Sequence, residues 1–361
     1  MKQKLSQLAA QIQQIPAPTF HEEARAAFVR EKFAAEGLSD ITQDSAGNVF
    51  ARLKGGNAVP LIVSAHLDTV FPAESDLALR RDGGRLYGPG LGDNALGVAA
   101  LFGLLWRLRA ARFSPPGDLW LVANSAEEGL GDLKGMQAVC ERFGGEVRAY
   151  LILEGLALGH IYHRAIGVRR YKIICHARGG HSWADYGKPS AIHELAGLIT
   201  RLTALTLPKS PRTTLNVGRI GGGTSVNSLA AEAWLELDLR SEDPSTLEKI
   251  SRSVEKLIES ASQPERVWFS LEVIGQRPAG EISASHPLIG LAQACLREQG
   301  LEPVLTSGST DANIPLSRGF PALVLGVSRG GGAHTLDEFI ETEPLEQGLE
   351  QIFRFVTRAW D

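Results

Sequence analysis

Hydrophobic and polar positions follow two different patterns along the chain, and the pattern changes near residue 166. Before that point, short and nearly continuous apolar runs such as Pro60–Ala65 alternate with helical stretches such as 93–109, for which Asp93 or Asn94 is the expected N-cap. A nearly all-apolar run is typical of a strand that is buried on both faces. Strands that alternate with helices predict an α/β domain with a mostly parallel sheet and helices on both of its faces. Further strands of this kind are predicted at 48–53, 118–123, 149–153 and 322–326.

The first 36 residues are predicted to form two helices that are separated at Pro16-Ala17-Pro18. Proline restricts the backbone of its neighbours, so a helix is expected to end before this segment. Thr19 is the expected N-cap of the second helix, because a threonine hydroxyl can accept a hydrogen bond from a free N–H of the first turn.

Between residues 166 and 278 the chain instead predicts strands that are exposed on one face. The predicted order is strand, helix, strand, strand, helix, strand, which is the split pattern of a ferredoxin-like α+β layer. Helices and buried strands of the first type return after Gln276-Arg277-Pro278. We therefore expect a discontinuous catalytic domain, residues 1–165 and 279–361, interrupted by an inserted lid or dimerisation domain, residues 166–278.

Composition and charge narrow the choice of partners. The 361 residues exceed the usual size of one hydrophobic core, which agrees with two domains. The net charge of -4 gives no reason to expect nucleic acid or an anionic membrane as a partner. Three scattered cysteines do not suggest a disulfide framework, and the N-terminus lacks the apolar core of a signal peptide. A cytoplasmic protein is the expectation.

Acidic and imidazole side chains follow the predicted strands of the α/β part. In such sheets, functional side chains gather beyond the carboxyl ends of the parallel strands. Each residue alone has an ordinary interpretation, since a single histidine is more often structural and a Glu-Glu pair is usually solvated. Their occurrence together in one domain predicts a site for zinc, or for manganese or cobalt. The residues are His66, Asp68, Asp93, Glu127, Glu128, Glu154 and His334.

These residue types suit hydrolysis. A carboxylate that bridges two metal ions can hold a shared water whose pKa falls toward neutrality. A carboxylate that is not a ligand can then accept the proton of that water, and adjacent Glu127 and Glu128 could divide these two tasks. Asp68 can accept the second N–H of His66 and fix its tautomer.

Other sites are less well supported by the sequence. The Gly88–Gly92 loop lacks the lysine of a phosphate-binding loop and leads into Asp93, so nucleotide binding is not expected. No G-x-S-x-G motif is present, which disfavours a serine hydrolase. His160 and His163 are expected to be partly exposed rather than metal ligands, and Asp337-Glu338-Phe339 to be a helix start or a turn.

Five short motifs, in order, resemble a known family. They are His66-Leu67-Asp68, Gly92-Asp93-Asn94, Glu127-Glu128-Gly129, Leu153-Glu154-Gly155 and the final His334. Together they resemble the zinc metallopeptidases that include glutamate carboxypeptidase, aminoacylase, acetylornithine deacetylase, succinyl-diaminopimelate desuccinylase and tripeptide aminopeptidase. The resemblance covers essentially the whole chain.

The resemblance implies a role for each residue. Asp93 would bridge two divalent ions, with His66 and Glu154 completing one site and Glu128 and His334 the other. Glu127 would be the general base, and Asp68 would orient His66.

The same resemblance implies a homodimer formed through residues 166–278. Gly179-Gly180-His181-Ser182 matches the segment whose histidine stabilises the oxyanion in the partner's active site. Asn227 and Arg240 match positions that contact substrate, and Gly308, Ser309 and Thr310 match a backbone segment beside it.

The substrate class is less closely defined. Glu154 stands where relatives of the aminopeptidase type tend to have aspartate, which favours a carboxypeptidase or an N-acyl amino acid deacylase. A di- or tripeptide aminopeptidase is the alternative, followed by a non-catalytic binder. Asn94-Ala95 departs from the Asp-Met-Lys or Asp-Asp-Lys of many relatives, and this weakens inference of the substrate from any one of them.

Overall fold

The computed structural model describes residues 1–263 and 265–361, which divide into two compact units. The first consists of Met1–Ala165 and Gly280–Asp361, and the second of Ile166–Ala279. The sequence had placed the corresponding boundaries at 165/166 and 278/279.

The first unit is built on a mixed sheet of nine strands whose central four are parallel. The order across the centre is Gly117–Asn124, Ala58–His66, Ala149–Glu154 and Ala322–Gly326. Most residues of these four strands are buried, as their apolar sequences predict, although the strand Ala58–His66 begins with two exposed residues. The prediction of an α/β domain with a mostly parallel sheet is confirmed. Five further strands extend the sheet on its two sides: Ser39–Gln43, Val49–Leu53, His160–Ala165, Gly280–Glu281 and Val304–Gly308.

Helices and one small sheet complete the first unit. The longer helices are Lys2–Gln13, Glu23–Ala35, Leu96–Ala110, Lys134–Phe143, Pro287–Arg297 and Leu345–Arg358, with a short helix at Asn313–Ser317. Arg80–Asp82, Arg85–Tyr87, Gly330–Gly331 and Phe339–Glu341 form a separate four-stranded sheet. The segment Leu91–Ala110 is long and apolar enough to cross a membrane, but 83% of its apolar window is buried within the structure, as in a core helix.

The helix that follows Pro16-Ala17-Pro18 begins later than predicted. It starts at Glu23, its N-cap position is Glu22, and no side chain caps it. Thr19 is therefore not the N-cap. Its hydroxyl instead donates to Oδ2 of Asp68 at 2.9 Å. Because Thr19 lies outside the first turn of the helix, its hydroxyl is free to bind a carboxylate 49 positions away in the sequence.

The second unit is an antiparallel sheet of four long strands with two helices. The strand order is Thr213–Gly222, Glu232–Ser241, Gly167–Ala177 and Val267–Arg277. Helices Ala191–Thr203 and Pro244–Ala261 contribute apolar side chains to a core that this unit does not share with the first. Two short strands, Gly180–His181 and Ser228–Leu229, form a separate pair. The order and directions are those of a ferredoxin-like layer.

Candidate metal centre

Five potential metal ligands of the first unit come from separate segments of the chain. His66 and Glu154 end two neighbouring strands of the central sheet. Asp93 lies in the irregular turn that precedes the helix Leu96–Ala110, while Glu128 and His334 lie in loops beyond the strands Gly117–Asn124 and Ala322–Gly326. All belong to the end of the sheet where the parallel strands finish, so the fold brings residues together that are up to 268 positions apart, from 66 to 334.

The carboxylate of Asp93 lies between the two imidazoles. Its Oδ1 is 3.0 Å from Nε2 of His66, and its Oδ2 is 3.2 Å from Nε2 of His334. Nε2 of His334 is also 3.1 Å from Oε1 of Glu128, and Nε2 of His66 is 3.8 Å from Oε2 of Glu154. Potential ligand atoms of His66, Asp93 and Glu128 all lie within 4.8 Å of one another. The arrangement is two adjacent groups of nitrogen and oxygen donors that share one carboxylate.

The site contains more acidic than basic side chains, and this excess of negative charge favours protonated histidines or bound cations. Burial lowers the pKa of His66, but hydrogen bonds to Asp68 and Asp93 and the charge of Glu154 outweigh it, so the pKa lies well above its usual value. Hydrogen bonds to Asp93 and Glu128 raise the pKa of His334 to about 10. Burial raises the pKa of Glu154 well above its usual range, and the charges of Asp93 and Glu127 add to the effect. Metal cations bound here would supply the compensating charge, so the donor set and its electrostatics both fit divalent ions.

Asp68 contacts more of the site than its predicted role requires. Nδ1 of His66 is 3.1 Å from the backbone carbonyl oxygen of Asp68 and 3.4 Å from its carboxylate. The carboxylate also accepts hydrogen bonds from the backbone N–H groups of Glu127, at 2.9 Å, and Glu128, at 2.8 Å. Burial opposes the charge of Asp68, but the contacts with His66 and these N–H groups outweigh it and lower its pKa. Asp68 therefore fixes the Glu127-Glu128 turn as well as the ring of His66.

Glu127 is nearly buried, with 5% of its surface exposed, and it follows the same strand as Glu128. It lies close enough to Glu154 for its charge to raise the pKa of that carboxyl group. The structure thus brings Glu127 to the predicted ligands.

Three side chains outside the predicted ligand set also support the site: Asn94, which the sequence suggested only as a helix cap, Glu338, which it suggested only as part of a helix start or turn, and Arg25, which it did not single out. Asn94 accepts from the N–H groups of Gly97 and Gly155 and donates to the carbonyl of Leu153, which ties the Asp93 turn to the strand that carries Glu154. The prediction that Asp93 or Asn94 caps this helix is wrong, because the helix begins at Leu96, its N-cap position is Ala95, and no side chain caps it there.

Arg25 is a buried cation that contacts the chain directly after the strand that ends at His66. It is 1% exposed and donates to the carbonyl oxygen of Leu67 at 2.6 Å and to that of Ile15 at 2.7 Å. Burial lowers its pKa to about 10, while Asp68 and Glu22 favour its charged form. The sequence did not distinguish Arg25 from Arg30 on the same helix, because both are single arginines among apolar and charged residues.

Glu338 is fully buried, and its carboxylate accepts three backbone N–H groups from the loop that leads into Asp93. Burial raises its pKa to about 7 against the effect of these hydrogen bonds. The segment Asp337-Glu338-Phe339 is a turn that enters the strand Phe339–Glu341, which agrees with the turn rather than the helix start. The donors include Gly90 and Gly92 of the glycine-rich loop, so the N–H groups that a phosphate would use already hold a carboxylate.

The prediction for His160 and His163 was wrong for one residue. Both lie on the strand His160–Ala165 of the main sheet, where His160 is exposed but His163 is only 7% exposed. Nδ1 of His163 lies 2.8 Å from the carbonyl oxygen of Ile282. Apolar alternation in this strand is too weak to predict it, because its side chains are mainly polar or aromatic.

Gly308, Ser309 and Thr310 also belong to the first unit. Gly308 ends the strand Val304–Gly308, and a side chain there would collide with the ring of Tyr162. Thr310 donates its backbone N–H to Oδ1 of Asn313 at 2.9 Å.

Three predicted functional residues lie in the second unit. Nδ1 of His181 accepts hydrogen bonds from the backbone N–H groups of Trp183, at 3.2 Å, and Ala184, at 3.4 Å. The backbone carbonyl oxygen of Asn227 accepts from the N–H of Ser182 at 3.0 Å, which holds the His181 and Asn227 loops together. Arg240 donates through Nε to Asp238 at 2.7 Å on the sheet.

The sequence matches a known protein family over most of its length. The model of the family described as Peptidase family M20/M25/M40 matches residues 62–358. A succinyl-diaminopimelate desuccinylase of Corynebacterium glutamicum is 27% identical over 310 residues, which cover 82% of this chain and 81% of that protein.

Solved structures share the fold. A tripeptidase from Staphylococcus aureus superposes with a TM-score of 0.84 at 24% identity, covering 99% of this chain and 98% of that one. A Bacillus subtilis protein described as a dinuclear metal-binding peptidase superposes with a TM-score of 0.71 at 16% identity, covering 99% and 97%.

Proposed function

The chain belongs to the M20/M25/M40 family of peptidases, and we propose that it uses two divalent metal ions to hydrolyse an amide bond in an N-acyl amino acid or a small peptide. The carboxylate of Asp93 carries this proposal, because one of its oxygens faces His66 and the other faces His334. A carboxylate in that position, with further acidic groups on either side, is suited to two neighbouring cations.

In this proposal His66, Asp93 and Glu154 would hold one ion, and Glu128, His334 and the same Asp93 would hold the other. Zinc is the first candidate for this set of imidazole and carboxylate donors, with cobalt and manganese as alternatives. The ions would supply Lewis acidity toward the scissile carbonyl group and a lowered pKa for water.

Glu127 is the proposed general base. Its carboxylate would accept a proton from the attacking water and deliver it to the leaving nitrogen. Two observations support this role. Glu127 is nearly buried, and the carboxylate of Asp68 accepts hydrogen bonds from the backbone N–H groups of both Glu127 and Glu128. Because both backbone groups are anchored to one carboxylate, the base and the adjacent ligand keep a fixed relative orientation.

His181 is proposed to stabilise the oxyanion in the active site of a second copy of the chain. Its Nδ1 accepts from the backbone, so in the neutral ring the proton is on Nε2, which is then a hydrogen-bond donor. Trp183, Tyr186 and Val226 lie in the same pair of loops and are 87%, 90% and 103% exposed. Three exposed apolar side chains beside a polar donor are typical of a surface that a partner covers, which supports a homodimer through residues 166–278.

For the substrate we favour an N-acyl amino acid or the C-terminal residue of a small peptide. Glu154 supports this choice through the resemblance described above, and the Corynebacterium glutamicum relative is named as an enzyme that removes an acyl group. Arg240, held through its Nε by Asp238, would direct its remaining N–H groups to a substrate carboxylate. Asn227 and the backbone of Gly308, Ser309 and Thr310 would complete the contacts.

The deciding experiment is a substrate panel. N-acetyl and N-succinyl amino acids, dipeptides and tripeptides should be tested with zinc, cobalt and manganese, each peptide with a free and with a blocked amino terminus. A deacylase or carboxypeptidase is expected to cleave blocked substrates. Cleavage only of peptides with a free amino terminus would establish the aminopeptidase alternative, and binding without cleavage across the panel would favour a non-catalytic binder.

A further inference from the structure

Glu338 joins the two loops that carry Asp93 and His334. Its Oε1 accepts the backbone N–H of Gly92 at 2.6 Å and that of Asp93 at 2.8 Å, and its Oε2 accepts that of Gly90 at 2.9 Å. The backbone carbonyl of Glu338 also accepts from the N–H of Gly88 at 2.9 Å. Glu338 thus accepts hydrogen bonds from four N–H groups of a six-residue loop, residues 88–93. The nearest of these residues along the chain, Asp93, precedes Glu338 by 245 positions.

Glu338 is also rigidly connected to His334. The N–H of Thr335 donates to the carbonyl of Gly332, and the N–H of Glu338 donates to the carbonyl of Thr335, so a tight double turn separates the imidazole from the carboxylate. A side chain at Gly332, where φ is +71°, would meet the backbone of Asp337 and Glu338 at 3.0–3.2 Å. The backbone of Asp337 and Glu338 therefore packs closely against Gly332, two residues before His334.

The carboxylate of Glu338 accepts three backbone hydrogen bonds that an amide in its place could not all accept. Two carboxylate oxygens offer about four acceptor positions, whereas a glutamine has one acceptor oxygen and an NH2 group that only donates. In the fully buried environment of Glu338, an amide would leave at least one N–H of the Asp93 loop facing another donor.

We infer that Glu338 is a positioning residue that fixes the distance between the Asp93 carboxylate and the His334 imidazole, and so determines how tightly the ion between Glu128, His334 and Asp93 is held. The inference rests on the proposed two-metal function. The 3.2 Å between Oδ2 of Asp93 and Nε2 of His334 is a distance between two loops, and the hydrogen bonds of Glu338 connect those same two loops. Changes to side chains that orient metal ligands typically weaken metal affinity by about 10–100-fold.

The test is a titration of the metal-free, full-length protein with Co²⁺, followed by visible absorption and by competition with a chelator. The wild-type protein is expected to bind two ions per subunit. In Glu338→Gln, one ion should bind as in the wild type and the other about 10–100-fold more weakly, with a reduced absorption band. The matched control is Asp118→Asn, because Asp118 also accepts a backbone N–H, that of Gly55, but at the beginning of its strand.

The outcomes distinguish a positioning role of Glu338 from a purely structural role, and both from a failure of the two-metal function. If Glu338→Gln binds both ions with wild-type affinity and is merely less stable, as Asp118→Asn is expected to be, the inference is wrong and Glu338 is only a structural residue. If Glu338→Gln does not fold, Glu338→Asp decides, since it keeps the charge on a shorter side chain: an intermediate affinity supports the inference and an unchanged affinity overturns it. If the wild-type protein itself does not bind two ions, the proposed two-metal function fails instead.

Discussion

The carboxylate of Asp68 accepts a hydrogen bond of 2.9 Å from the backbone N–H of Glu127. The other oxygen of the same carboxylate accepts the N–H of Glu128. These contacts mean that the two glutamates leave the strand with fixed backbones, and that their side chains can take different tasks although they are neighbours in sequence.

Exchanging each of these glutamates for glutamine is expected to give different defects. Glu127→Gln should retain both metal ions but lose roughly 10²–10⁴-fold in kcat, because the amide cannot accept a proton. Glu128→Gln should lose metal, because a neutral amide is a weaker ligand than a carboxylate. Elemental analysis and steady-state kinetics on both variants would check this, and hydrolysis by Glu127→Gln at the wild-type rate would refute the assignment of the base.

Mixed dimers can test whether His181 acts across subunits. A dimer of one Glu127→Gln subunit and one His181→Ala subunit has one site with both groups intact if His181 serves the partner, and none if it serves its own subunit. Activity of the purified mixed dimer well above the mean of the two parent dimers is therefore expected. Activity at or below that mean, or a monomeric protein in light scattering, would contradict the cross-subunit role.

Removal of metal is expected to abolish activity and to lower the unfolding temperature. Without ions, the carboxylates of Asp93, Glu128 and Glu154 remain close together, and ligands that bind only the folded state stabilise it. Added zinc, cobalt or manganese should restore both properties in the wild type and in His193→Ala, a surface control, but not fully in His334→Ala. Calorimetry of the chelator-treated protein, before and after metal addition, would measure the effect.

Arg25 is expected to be important for stability. Arg25→Leu would remove a buried positive charge near the carboxylates of Asp68 and Glu22 and leave two carbonyl groups without this donor, at a cost of about 3–5 kcal/mol. Arg30→Leu is the control on the same helix, because Arg30 is exposed, and it should change the free energy of unfolding by less than about 0.5 kcal/mol. Urea unfolding of both variants would measure the two changes in the free energy of unfolding and show whether they differ as expected.

A pH effect is expected at the helix that begins after Asp243. This carboxylate accepts hydrogen bonds from the hydroxyl of Ser245 and the N–H of Thr246, which hold its pKa below the usual value. The part of its stabilising effect that depends on the negative charge is therefore fully present above the unfolded pKa near 4 and is lost as pH falls through the lower folded pKa. The free energies of unfolding of the wild type and of Asp243→Ala should therefore differ more at pH 7 than in strong acid. An equal difference at both pH values would show that the charge of Asp243 does not contribute to stability.

The sequence by itself determined the fold class and the candidate ligands, for a local physical reason. Buried parallel strands need nearly continuous apolar runs, so 60–65, 118–123, 149–153 and 322–326 were recognisable, and polar residues at the ends of such runs have few structural uses. The strand His160–Ala165 was not recognisable, because tyrosine and histidine interrupt its alternation although the sheet buries His163.

Only the tertiary structure decided which atoms meet. Thr19 resembles an N-cap but donates to Asp68, and Glu338 resembles a turn residue but holds the loop of Asp93. Hydrogen bonds of this kind join segments 49 and 245 positions apart, and no local pattern encodes them. Spacing along a chain specifies the shape of a helix or strand, whereas the partner of a buried carboxylate depends on how the whole sheet brings its loops together.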